Sequence, residues 1–326
     1  MKRADLYRIG LFVLAAVAVF LLPRFISDFR AQQFAYVGIY FIALLGLNVL
    51  TGYTGQISLG HGAFMAIGGY TTAILISDQG LKLGGHTFAS DLKDVWTIPL
   101  AGLVAGVAGF LFGFPALRLT GLYLALATFA IAVAMPGLIK YERFEAFTGG
   151  GGGINLFGIP GLTGALEGVT IPVLDRTITF NEWLYYLCWT IALVMFALAW
   201  VLLRGKIGRS FRAVRDSELA AASSGVNLAT YKTLAFGISA FYAGVAGSLL
   251  AIATTFVNPD TYPITLSIFL LVGVVVGGLG SLWPLVFGAV FIQFLPLWAQ
   301  EVSKAQGAPA VVYGLVLILV MLALPG

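Results

Sequence analysis

Long apolar runs follow one another along the chain, with only brief polar punctuation between them. They cover Ile9–Leu22, Phe34–Leu50, Gly62–Ser77, Thr97–Phe114, Gly121–Ile139, Trp183–Leu203, Thr233–Thr254, Ile264–Leu282, Leu285–Gln300 and Pro309–Leu324. A helix needs about 20 apolar residues to cross a bilayer, because lipid offers no partner to an open backbone. The pattern therefore predicts an all-α polytopic helical membrane bundle of about ten transmembrane segments, forming one membrane domain over 1–326. The first run follows a basic start (Lys2, Arg3, Arg8) and has no small-residue cleavage site after it. It reads as a retained span rather than a signal peptide.

The stretch Thr51–His61 departs from this pattern. It carries no Lys, Arg, Asp or Glu, yet has glycines at 52, 55 and 60. It predicts a broken or re-entrant element near 51–64, a backbone tolerated at membrane depth only beside protein or a water-filled cavity.

Composition sharpens the class. Hydrophobic residues make up 60% of the 326 and charged residues 10%, against about 25% charged in soluble domains. Mean hydropathy is +0.97. A soluble enzyme, a disordered chain and a nucleic-acid binder are excluded. One cysteine, Cys188, and two histidines, His61 and His86, leave no Cys-based zinc site and argue against a catalytic metal. Catalytic residues are expected to be absent as well: no acidic residue lies in the last nine runs, and neither HExxH nor GxSxG occurs. The lack of ionisable residues in those runs also argues against a proton-driven carrier or a voltage sensor.

Loop charge sets the orientation. The segment 204–232 holds six basic residues (Arg204, Lys206, Arg209, Arg212, Arg215, Lys232) against Asp216 and Glu218, which places it inside. The segment 140–182 has three basic residues against five acidic ones and reads as an extracytoplasmic loop. Ten spans then put both termini in the cytoplasm. About 40 residues is long for a passive connection. The loop's five glycines, Gly149–Gly153, lack the Gly-Lys-Ser/Thr of a phosphate loop and read as a flexible stretch. Small residues paired at helical spacing (Gly102/Gly106, Gly109/Gly113, Gly273/Gly277) predict close helix crossings.

Within 204–232, Ser210 is a candidate N-cap and Gly225 a candidate C′ stop for one short helix. Phe211, Val214 and Ala221–Ala222 would form its apolar stripe. Two readings are open: a solvated basic loop, or a helix that docks a cytoplasmic motor.

Three stretches resemble the LivM-type membrane permease family of bacterial branched-chain amino acid ABC importers. They are Gly52–Phe64 (GYTGQISLGHGAF) continuing to Gly69–Thr71, then Gly121–Thr128 with Thr148–Gly150, and Gly208–Asn227 with Tyr231–Lys232 and Ala235–Ala240. The resemblance spans nearly the whole chain. It implies a bacterial inner-membrane permease with a homologous second permease subunit, two ATP-binding subunits and an extracytoplasmic substrate-binding protein. This chain would carry no cofactor; ATP and Mg would sit on the partners. It also implies that 204–232 is the coupling segment, with Arg209, Arg212, Arg215, Asp216, Glu218 and Gly225 as the ATPase-coupling residues. Unwound backbone near 53–64 offers N–H and C=O groups to a zwitterionic solute. Tyr53, Gln56, Ser58, His61 and Phe64 are the translocation-path candidates, and His61 is equally readable as a tie between helices. A urea or amide importer, a standalone channel and a secondary transporter are the alternatives.

Overall fold

The fold is described from a computed structural model. The structure describes residues 19–77, 81–83, 86–88, 94–117, 119, 121–156, 170–171, 176–177 and 179–302, with 311, 312, 314, 315 and 318 beyond them.

Eight apolar helices account for the eight inner runs: α1 (Asp28–Asn48), α2 (His61–Ile76), α3 (Asp94–Ala116), α4 (Leu122–Ile139), α6 (Phe180–Arg204), α9 (Leu228–Thr254), α10 (Ile264–Gly277) and α11 (Leu285–Val302). Among the described residues six segments have the length and hydropathy to cross a membrane, while His61–Ile76 and Leu285–Ala299 are shorter. The expected count of about ten includes Ile9–Leu22 and Pro309–Leu324, which lie mostly outside the described residues. Among the described residues there are also three short helices, α5 (Glu142–Thr148), α7 (Lys206–Asp216) and α8 (Glu218–Ser223). Three two-stranded antiparallel ribbons join loops: β1 (Leu81–Leu83) with β2 (His86–Phe88), β3 (Ile154–Asn155) with β6 (Phe256–Val257), and β4 (Thr170–Ile171) with β5 (Arg176–Thr177).

Helices α1 and α9 form the centre, with 83% of an apolar 18-residue stretch of each buried, whereas the corresponding stretches of α3 and α4 are only 33% and 28% buried and turn apolar surface outward. Glycine lets α9 approach its neighbours. A Cβ on Gly68 of α2 would strike the Gly244 carbonyl, and one on Gly247 would strike that of Met65. Gly102, Gly106, Gly109 and Gly113 lie in turn against Val245, Phe241, Ala240 and Thr233 of α9. The small-residue stripe of α3 is thus a packing surface, as its spacing predicts. Buried aromatics add polar ties: the Tyr242 hydroxyl donates to Met195 O at 2.9 Å and the Tyr262 hydroxyl to Gly247 O at 2.9 Å.

The bundle has two distinct ends. One carries α7, α8, the C-terminal end of α1 and the turn Gly278–Ser281. The other carries α5, the β3–β6 ribbon, an ion pair between Lys140 and Asp260 at 3.9 Å, and Asp28 bonded to Thr179 and Asn181. Loop charge separates 204–232 from 140–182, and residues 140–156 and 179–182 lie at the end opposite 204–232. The glycine run differs from the flexible stretch expected. Gly149 caps α5 in the left-handed region (φ 69°), Gly150–Gly152 form a 3₁₀ turn, and Gly153 (φ 70°) packs against Val257 and Asn258. Side chains are shut out at Gly149, Gly150 and Gly153, though not at Gly151 and Gly152, so the run is shaped at its two ends.

Candidate functional site

Helix α1 does not end cleanly. Beyond Asn48 it widens into a π turn over Val49–Tyr53, then Gly55 takes φ 71° and regular structure stops until α2 begins at His61. Such a break releases backbone groups that must find partners in a membrane interior. They find them far away in sequence. Leu59 N–H donates to Thr128 Oγ1 of α4 at 2.9 Å, and Gly62 N–H to Ser267 Oγ of α10 at 2.9 Å. Gly52 O accepts from Arg215 Nη1 of α7 at 3.0 Å. Locally, Gln56 N–H donates to Leu50 O at 3.1 Å, and Thr51 Oγ1 to Gln56 O at 3.3 Å. The fully buried Asn48 side chain accepts from Gly280 N–H at 2.9 Å and donates to Ser281 O at 2.8 Å, tying the break to the α10–α11 turn.

The five path candidates are all buried within this chain. The Gln56 amide donates to Thr54 Oγ1 at 3.2 Å, and Ser58 Oγ receives Gly60 N–H at 3.2 Å. Phe64 packs edge-on to Phe112, and Tyr53 joins the core. His61 Nε2 lies 2.9 Å from Ser239 Oγ, whose own proton goes to Gly46 O at 2.7 Å. Ser239 must therefore accept, which makes Nε2 the protonated nitrogen and leaves the buried Nδ1 without a partner. His61 ties α2 to α9, and through Ser239 to α1. Ile57, by contrast, is half-exposed. Sequence reasoning missed Asn48, Thr128, Ser239 and Ser267. Each is an isolated polar residue in an apolar run, and nothing local marks its distant partner.

The segment 204–232 also differs from expectation. Two helices form instead of one, and Ser210 lies inside α7 rather than at its N-cap. Gly205 is extended and ends α6, and Gly208 presses so closely on the Leu203 backbone that no side chain fits. The reversal thus starts α7 four residues before Ser210. Ser217 separates the two helices, and its hydroxyl accepts from Ala220 N–H at 3.3 Å as the α8 N-cap. Gly225 (φ 83°) closes α8 as expected: its N–H reaches Ala222 O and that of Val226 reaches Ala221 O, both at 3.0 Å. Phe211, Val214 and Ala221 are buried beneath, while Ala222 is exposed.

The charged candidates divide. Arg209 and Arg215 are exposed and Arg212 is half-buried; Arg215 also reaches the break and pairs with Asp216 at 3.1 Å. Glu218 meets the buried Lys232 ammonium at 2.6 Å, locking α8 to the start of α9. Leu219, which the sequence reading passed over, is 84% exposed at the tip of α8. Among the described residues no group of three His, Cys, Asp or Glu side chains could hold a metal ion.

A polytopic helical membrane protein, with a broken span buttressed from one end by an amphipathic helix pair, is the class this geometry defines. The family described as the permease component of the branched-chain amino acid transport system matches residues 30–324, and the chain belongs to that family. The high-affinity branched-chain amino acid transport system permease protein LivM of Salmonella typhimurium is 35% identical over 307 residues, covering 89% of this chain and 67% of that protein. LivM of Escherichia coli matches to the same extent, 35% over 307 residues. No solved structure matches the chain. The chain is thus a membrane permease subunit of the branched-chain amino acid transport class.

Proposed function

We propose that this permease works in an ATP-driven importer of branched-chain amino acids in the bacterial inner membrane. It forms the translocation path with a related permease chain. Two ATP-binding subunits, carrying ATP and Mg²⁺, dock at the α7–α8 end, and a substrate-binding protein docks at the opposite end. The excess of Lys and Arg in 204–232 supports a cytoplasmic position for that end, and ten spans would put both termini on the same side. Closure of the ATPase pair moves α7–α8, and the break between α1 and α2 changes shape with it. Tyr53, Gln56, Ser58, His61 and Phe64 belong to the element that moves and form a wall of the path.

One observation carries this reading. Leu219 projects beside Glu218 from a short helix whose other exposed residues, with the capping Ser224, are the small Ala220, Ala222 and Ser223. A lone apolar knob on a ridge of small residues fits a cleft in a docked partner, and truncating such an anchor weakens binding about tenfold or more. Leu219 makes no core contact, so Leu219→Asp leaves the fold intact.

The test reconstitutes the chain with its partner permease, ATPases and binding protein, and follows labelled leucine into proteoliposomes. Uptake is expected to require ATP and the ATPases, and Leu219→Asp is expected to release the ATPases and abolish uptake. Uptake that persists without ATPases would replace this mechanism with a channel or secondary carrier. ATP hydrolysis without leucine uptake would redirect the substrate to urea, amides or other amino acids.

A further inference from the structure

Arg215 belongs to the helix pair proposed to receive the ATPases, and its side chain, 40% exposed, also reaches the end of the bundle. It meets two segments there, at three points. Nη1 donates to Gly52 O at 3.0 Å in the π turn of α1. Its Cγ packs beside Gly55, where a Cβ would lie 3.1 Å away. Gly280, in the α10–α11 turn, comes so close that its Cβ would lie 3.3 Å from Nη1. All three contact points are glycines, so backbone can approach the side chain without obstruction. Gly55 and Gly280 both have positive φ, 71° and 74°, which suits glycine for a second reason. Asp216 Oδ1 holds the fork in place, 3.1 Å from both Nε and Nη2. Asn48 joins the same two targets, since its side chain holds Gly280 and Ser281 from within α1.

We propose that Arg215 is a positioning residue that transmits displacement of α7–α8 to the break after α1 and to the α10–α11 turn together. The inference rests on the importer reading for its direction of action, while the linkage itself belongs to this chain alone. The chemistry suits the task. The Gly52 carbonyl sits where the helical hydrogen-bond ladder has opened, so it is available to a side-chain donor. A charged donor bonds it more strongly than a neutral one. The planar guanidinium transmits direction as well as attraction, because its donors are fixed relative to one another. A lysine would keep the charge and lose the fork.

Two measurements test it, on Arg215→Gln and Arg215→Lys. In the reconstituted complex, Arg215→Gln is expected to keep its ATPase subunits and to hydrolyse ATP, while leucine taken up per ATP falls about tenfold or more, the scale of a lost charged hydrogen bond. Arg215→Lys is expected to recover part of that ratio. An unchanged ratio, or loss of the ATPase subunits, overturns the inference; the second outcome would make Arg215 a docking residue. In the permease alone, embedded in lipid nanodiscs, amide exchange is expected to speed up in 49–56 and 278–281 together in Arg215→Gln. Faster exchange confined to 206–216 overturns the linkage. A wild-type complex with no ATP-driven uptake would defeat the importer reading and leave the exchange result to decide the linkage.

Discussion

The α2–α9 crossing and the break after α1 hold helices together by opposite means. At the crossing both helices stay intact, and Gly68, Gly244 and Gly247 remove side chains so that backbones touch, helped by a Thr72–Ser248 hydroxyl pair. At the break the helix opens, Thr128, Ser267 and Arg215 supply the bonds that the backbone lost, and Asn48 ties the α10–α11 turn beside it. The first contact leaves nothing able to rearrange without unpacking a core. The second is made of individual hydrogen bonds, each exchangeable for another partner. Rigidity and adaptability thus sit within one small bundle, and α7 connects to the adaptable part through Arg215.

Three substitutions break or sharpen this contrast. The largest effect is expected at the crossing. Gly68→Val drives a side chain into the Gly244 carbonyl, and backbone cannot rotate away as a side chain would. The cost should reach or exceed the upper end of the about 1–3 kcal/mol usual for overpacking. Size-exclusion profiles in detergent should show loss of the monodisperse species, and a wild-type profile would refute the tight crossing. At the break, Asn48→Leu orphans the Gly280 N–H and the Ser281 carbonyl, at about 1–3 kcal/mol for each group. The protein should still fold with a lowered Tm, and an unchanged Tm would show that water or another side chain takes over. The smallest effect is expected for Thr72→Val, which removes the hydroxyl pair but keeps the glycine contact. Interhelical hydrogen bonds in membranes average about 0.6 kcal/mol, so Tm should move by a few degrees at most. A large drop would mean that the crossing depends on polarity after all.

What could be read without the structure follows from what each signal depends on. The spans were legible because lipid imposes a composition on every residue of a crossing helix. The break was legible because glycine clusters without charge are unusual beside such runs, and the opposite placement of 140–182 and 204–232 followed from charge alone. The interior of the site was not legible. Nothing around Asn48 announces Gly280, and nothing around His61 announces Ser239, because these pairs are set by the packing of distant helices. Ser210 looked like a cap by residue type, but Gly205 and Gly208 had already fixed where α7 starts. Arg215 matched its neighbours Arg209 and Arg212 in spacing, and only the fold shows that it faces the break. Leu219 passed unnoticed because an exposed leucine has meaning only once its exposure is known.

The Asn48 tie also bears on the order in which the protein is made. Its partners at Gly280 and Ser281 lie 232 and 233 residues later in the chain. At translation rates of about 5–20 residues per second, roughly 10–50 s pass between synthesis of the amide and synthesis of the groups that satisfy it. Throughout that interval α1 carries a polar side chain into the membrane with its final bonds unmade. The N-terminal half therefore enters the bilayer unfinished, and its completion waits for the last third of the chain to be inserted.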